Sequence, residues 1–74
     1  MSHLLDVKGL ACPLPVLKAK KKLKSLEPGD ELEVLATDPS AVEDFRAFCE
    51  LTGHTLLDWS EEDGVYAFRL RRKA

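Results

Sequence analysis

Two prolines bracket a leucine where an amphipathic helical pattern begins, in the run Gly9-Leu10-Ala11-Cys12-Pro13-Leu14-Pro15. Downstream, Val16, Leu17, Ala19, Leu23 and Leu26 continue the pattern with lysines between them. Proline is welcome in a first helical turn, where N–H groups have no intrahelical carbonyl to bond. Pro13 and Pro15 therefore fix where the first helix starts, and Pro28-Gly29-Asp30 stops it. Cys12 falls at the N-cap or one residue before it, where Ser, Thr, Asp or Asn would serve helix stability better. A free cysteine is often just a small buried hydrophobe. A helix start beside a glycine turn lies at the surface, however, and the helix dipole favours thiolate. The prolines remove two N–H donors and leave Leu14 and Val16 to donate, so the pattern predicts an exposed, mobile, partly activated sulfur.

The rest of the chain alternates strands and helices. Residues 4–8 read as a short strand with Leu5 and Val7 inward, and residues 31–37 as a second. In the second, Leu32, Val34 and Ala36 share one face and Glu33 and Leu35 the other. Asp38 reads as the N-cap of a second helix with Pro39 at its first position; Val42, Phe45, Phe48 and Cys49 form its buried stripe, and Gly53 ends it. Residues 54–60 and 65–72 read as two strands joined by a turn at Glu62-Asp63-Gly64, with Tyr66, Phe68 and Leu70 alternating inward. Trp59 and Leu35 are placed on the opposite, open sheet face. The order βαβαββ with right-handed crossovers gives an α+β two-layer sandwich, two helices on one face of a four-stranded sheet.

Length limits the chemistry. Seventy-four residues make one domain, 1–74, and a chain this short buries about 60% of its unfolded surface. Reactions are expected at the surface, with partner proteins supplying the enclosure. No long apolar span marks a membrane segment, and an acid at Asp6 speaks against a signal peptide. Two cysteines make no disulfide framework, so the cytoplasm is the expected compartment. A net charge of −2 argues against general nucleic-acid binding. Lys18, Lys20, Lys21, Lys22 and Lys24 nonetheless crowd the first helix, a solvated face or a docking surface for an acidic partner.

Taken together, Leu5-Asp6, Gly9 through Pro15, Pro28-Gly29, Asp38-Pro39, Asp44 and Gly53-His54 resemble, in order and spacing, the TusA (SirA-like, TusA/YedF) family of small sulfur carriers, over nearly the whole chain. The resemblance implies a fold like the C-terminal domain of bacterial translation initiation factor three, with a mixed sheet in strand order 1-2-4-3. It also implies that Cys12 carries sulfane sulfur as a persulfide. The donor would be a cysteine desulfurase or a rhodanese-type protein, the recipient a thiol acceptor protein serving tRNA thiolation, molybdenum-cofactor assembly or sulfur oxidation. No cofactor, metal, membrane or direct nucleic-acid contact is expected.

Other residues have plainer readings. Cys49 belongs to the core stripe rather than to a resolving pair with Cys12. Cys12, Cys49, His3 and His54 lack the paired short spacings of a zinc site. His54 is expected to act structurally at the second helix's C-terminus, where a cationic imidazole is favoured; Asp6 and Asp44 have no evident chemistry. The competing class is a non-catalytic regulatory or RNA-binding module, which calls for exposed stacking aromatics beside basic residues. A redox role would want a nearby second cysteine, and no Cys-x-x-Cys is present.

Overall fold

A computed structural model describes residues 2–73; Met1 and Ala74, the ends of the expected 1–74 domain, lie outside the described residues. The elements are β1 (Ser2–Asp6), α1 (Leu14–Lys24), β2 (Glu31–Ala36), α2 (Ala41–Thr52), β3 (Thr55–Glu62) and β4 (Val65–Arg71). They form a four-stranded sheet in the order β1-β2-β4-β3, with β1 parallel to β2 and the other pairs antiparallel. The helical crossover through α1 is what permits the parallel pair. A two-residue turn closes the β3–β4 hairpin, with Asp63 at φ 52° and Gly64 at φ 81°, a twist that matches the flanking strands.

Alternation in β2 decides which side the core lies on. Leu32, Val34 and Ala36 are fully buried while Glu33 faces solvent. Leu70 and Phe68, opposite Leu32 and Val34 in β4, join them. The helices cover this face with Ala19 and Leu23 from α1 and Phe45, Phe48 and Cys49 from α2. Phe45 and Phe68 bring their rings to 4.7 Å and seat α2 on the sheet. Gly53 ends α2 in the left-handed conformation at φ 85°, its N–H bonded to the Cys49 carbonyl at 2.9 Å. No helix among the described residues is long and apolar enough to cross a membrane.

Three expectations are corrected here. The first strand is shifted toward the N-terminus, because its register runs from Ser2 opposite Glu31 to Asp6 opposite Leu35; Val7 still enters the core, donating its N–H to Leu35 at 2.8 Å. The second helix begins at Ala41 rather than Pro39, with Ser40 as N-cap in place of Asp38. Trp59 lies on the helix side of the sheet, not on its open face. An irregularity between Leu56 and Asp58 inserts one extra residue, so Trp59 pairs with buried Phe68. A single bulge reverses the facing of every later side chain in a strand. Trp59 also packs at a tilt near Tyr66, with ring centroids 6.3 Å apart.

Candidate functional site

The segment from β1 to α1 is held by groups that belong to another loop. Asp6 accepts the Lys8 N–H at 3.0 Å and starts the turn. Gly9, at φ 82°, donates its N–H to Thr37 Oγ1 at 2.9 Å. Cys12 donates its N–H to Asp38 Oδ2 at 2.7 Å, while the other oxygen of Asp38 receives the Ser40 N–H at 3.0 Å. One carboxylate thus ties the start of α1 to the start of α2, and those N–H groups hold Asp38 below the usual carboxylate pKa. Asp38 acts as a strut for the cysteine rather than as the helix cap expected of it.

Pro13 is the N-cap of α1, so Cys12 lies one residue before it, and its side chain is exposed. One of the two expected donors is otherwise engaged: the Leu14 N–H bonds the Ala11 carbonyl at 2.9 Å. What faces the sulfur instead is Asp44, from the first turn of α2. Its carboxylate, as acceptor and as charge, together with partial loss of hydration and the charge of Asp38, pushes the Cys12 thiol above its ordinary pKa. The Ser40 hydroxyl opposes the effect, and it also donates to Asp44 Oδ2 at 3.4 Å. The expectation of a partly activated thiolate is therefore overturned. The carboxylates raise the thiol's pKa, while a helix dipole acts within one turn and is screened at an exposed site.

Cys12 lines a shallow groove of about 270 Å³ between the helices, together with Pro13, Val16, Asp44, Ala47, Phe48 and Leu51. Leu51 is 88% exposed, and Leu14 and Leu17, counted in the helical pattern, face solvent rather than core. Exposed apolar side chains on and beside an apolar groove are the kind of surface that meets another protein. The α1 lysines extend along the same helix, all of them exposed except the half-buried Lys22.

The remaining candidates separate from this site. Cys49 is buried in the α2 stripe, and burial pushes its thiol up. His54 accepts the Lys73 N–H on Nδ1 at 3.0 Å and packs 5.7 Å from the Phe48 ring. Burial, then the charges of Lys73 and Arg72, lower its pKa, so neutral imidazole is favoured and the cationic expectation is corrected. His3 pairs with Asp30 at 3.5 Å. Among the described residues no group of three His, Cys, Asp or Glu side chains could hold a metal. What sequence reasoning missed is that Asp38 bonds Cys12 and that Asp44 lines its groove, because nothing in a separation of 26 or 32 residues signals proximity. Asp38 was legible only as a helix cap, and Asp44 only through the family-like pattern.

Comparison with known proteins follows the geometry. The family model described as Sulfurtransferase TusA matches residues 3–72. A Neisseria meningitidis protein is 57% identical over 72 residues, covering 97% of each chain. The sulfur carrier protein TusA of Allochromatium vinosum is 47% identical over 92% of this chain and 90% of its own. That of Pseudomonas aeruginosa is 45% identical over 96% and 90%. Among solved structures, a SirA-like protein from Desulfitobacterium hafniense superposes with a TM-score of 0.84 at 28% identity, over 97% of this chain and 99% of that one.

Proposed function

The chain belongs to the TusA sulfurtransferase family of sulfur carriers, and on that footing we propose that Cys12 is the atom that carries the sulfur, as a persulfide. The observation that carries this reading is the setting of Cys12: an exposed thiol, its backbone N–H tied to Asp38, lining an apolar groove with the exposed Leu51.

The chemistry needs nothing beyond thiols. The Cys12 thiolate attacks the outer sulfur of a donor persulfide, by the displacement that operates in thiol–disulfide exchange. A new S–S bond forms on Cys12, the donor S–S bond breaks, and the donor leaves as thiolate. An acceptor thiolate then repeats the displacement on the loaded Cys12. The groove is too shallow to enclose these steps, so each partner closes over the sulfur. A cysteine desulfurase or rhodanese-type protein is the proposed donor, a thiol protein of a cytoplasmic sulfur relay the proposed acceptor, and the lysine face of α1 a contact for acidic groups on either.

Intact-mass measurement after incubation with a cysteine desulfurase and cysteine tests the proposal. The wild-type chain and Cys49→Ser should gain one sulfur atom, removable by reductant, and Cys12→Ser none. Sulfur gained by Cys12→Ser would refute the assignment.

A further inference from the structure

We infer that the free edge of β1 docks an extended acidic segment of another protein. The segment pairs with β1 as an added strand and sets its carboxylates against Lys18, Lys21 and Lys22 of α1. The inference does not rest on Cys12. Sheet order places β1 and β3 at the two edges, so each has one side without a neighbouring strand. In the parallel ladder, Val7 donates its N–H to Leu35 of β2 at 2.8 Å. Backbone groups alternate sides along a strand, so those of Leu5 also face β2, and those of Leu4 and Asp6 point to the open edge. Leu4, 60% exposed, stands on that edge.

The two edges are not alike. β3 carries an irregularity between Leu56 and Asp58 and exposes Asp58, Glu61 and Glu62, features by which proteins blunt an edge. β1 pairs in unbroken register from Ser2 to Asp6 and holds neither proline nor lysine. Its one acid, Asp6, is paired with Lys8 at 3.5 Å. An edge left regular can accept a strand. A second copy would have to offer its acidic but bulged β3, and such a head-to-tail contact builds an open chain of copies rather than a closed dimer. The occupant is therefore another protein.

What lies beside the β1 edge fixes the chemistry of the segment. A groove of about 300 Å³ is lined by Leu5 of β1, by Lys18, Lys21 and Lys22 of α1, and by Ser25, with no acid among them. Among the described residues, no α1 lysine joins an ion pair, the pairs falling instead on His3, Lys8, Arg69 and Arg71. Three unpaired cations around one groove, in a chain of net charge −2, set a local field opposite to that of the whole molecule. An added strand places alternate side chains beside Leu5 on the helix side and beside Leu4 on the open face. Glutamates at the first positions meet the lysines, and apolar residues at the second cover Leu4. No aromatic ring lines the groove to stack a base, and the apolar side of α1 is already buried on the sheet rather than free to enter a bilayer. This groove shares no lining residue with that of Cys12, so the docked segment leaves the sulfur accessible.

Titration of the isotopically labelled chain with a synthetic peptide alternating glutamate and valine, followed residue by residue by NMR, tests the inference. The Leu4 and Asp6 amides should shift and gain protection from hydrogen exchange, while the Cys12 amide stays in place. The same peptide N-methylated at alternate amides keeps its charge and should lose about tenfold or more in affinity, because it cannot complete a ladder. Lys18→Glu, Lys21→Glu and Lys22→Glu should each weaken binding about three- to tenfold. Lys20→Glu, on α1 but outside the groove, should change it by about twofold at most. Leu4→Pro removes an outward N–H and leaves the ladder to β2 intact, so it too should weaken binding; where it folds poorly by circular dichroism, the N-methylated peptide makes the same test. Cys12→Ser should bind the peptide as the wild type does, whatever becomes of sulfur loading, so the carrier reading and this inference fail separately. Absence of shifts at millimolar peptide, or undiminished binding of the N-methylated peptide, would overturn the inference. So would tighter binding of polyuridylate or of phosphatidylserine vesicles, or self-association that the lysine reversals abolish.

Discussion

Cys12 and Cys49 carry the same thiol in opposite surroundings, and in both the neutral form is favoured. For Cys49 the cause is burial among Phe45, Phe48 and the rest of the core. For Cys12 it is a carboxylate at an exposed site. The first cause is permanent, since only unfolding returns water to Cys49. The second is conditional, since a charge at an exposed site is open to screening by salt and solvent. Exposure therefore does not by itself make a thiol reactive, and a raised pKa does not by itself make it inert.

The largest effect expected from this contrast is on function. Cys12→Ser should abolish sulfur loading while thermal unfolding by circular dichroism stays close to wild type, because its side chain contributes no core packing. Loss of the fold with Cys12→Ser would break the contrast.

Stability should respond at the other cysteine and its neighbours. Phe45→Ala removes a fully buried ring that seats α2 on the sheet and should cost about 3–5 kcal/mol in denaturant unfolding. Where that variant still folds, Cys49 should become open to alkylation, which sharpens the claim that packing alone shields it. Cys49→Ser places a hydroxyl in an apolar site and should cost about 1–3 kcal/mol, with loading of Cys12 unchanged.

Smaller effects depend on pH. His54 has its folded pKa lowered from 6.5, so its stabilisation is complete above that value and fades as pH falls through the folded one. Unfolding midpoints compared at neutral and mildly acid pH should show a loss in the wild type that is reduced in His54→Gln. Asp38, lowered from 3.8, contributes fully above that value and loses its contribution only at stronger acidity. Asp38→Ala should leave the core intact yet speed hydrogen exchange at the Cys12 amide, which loses its acceptor. Unchanged exchange would show that the strut is dispensable.

The layered fold was legible because its signals are local and repetitive. Prolines bracket the start of α1, Leu32, Val34 and Ala36 alternate through β2, and Phe45, Phe48 and Cys49 recur at helical spacing. The strand order came instead from the family resemblance, since pairing of distant strands leaves no local mark. Misreadings arose where one long-range contact outweighs a local rule. Asp38 has the sequence context of a helix cap, yet its oxygens are shared between Cys12 and Ser40. Trp59 obeys alternation until one extra residue in β3 reverses its facing. For Cys12 the position was readable from Pro13 and Pro15, but its electrostatics were not, because Asp44 approaches from 32 residues away. His54 likewise meets Lys73 and Arg72 only in the folded chain.

The central claim is that one sulfur, on Cys12, both takes and gives. It is tested most directly by loading the chain with isotopically labelled sulfur from cysteine through a desulfurase, removing the donor, and following the label by peptide mass after an acceptor thiol protein is added. The label should reside on the Cys12 peptide before addition and appear on the acceptor afterwards, with the Cys49 peptide unlabelled throughout. Label on the Cys49 peptide, or label that stays on Cys12 in the presence of every thiol acceptor offered, would contradict the account.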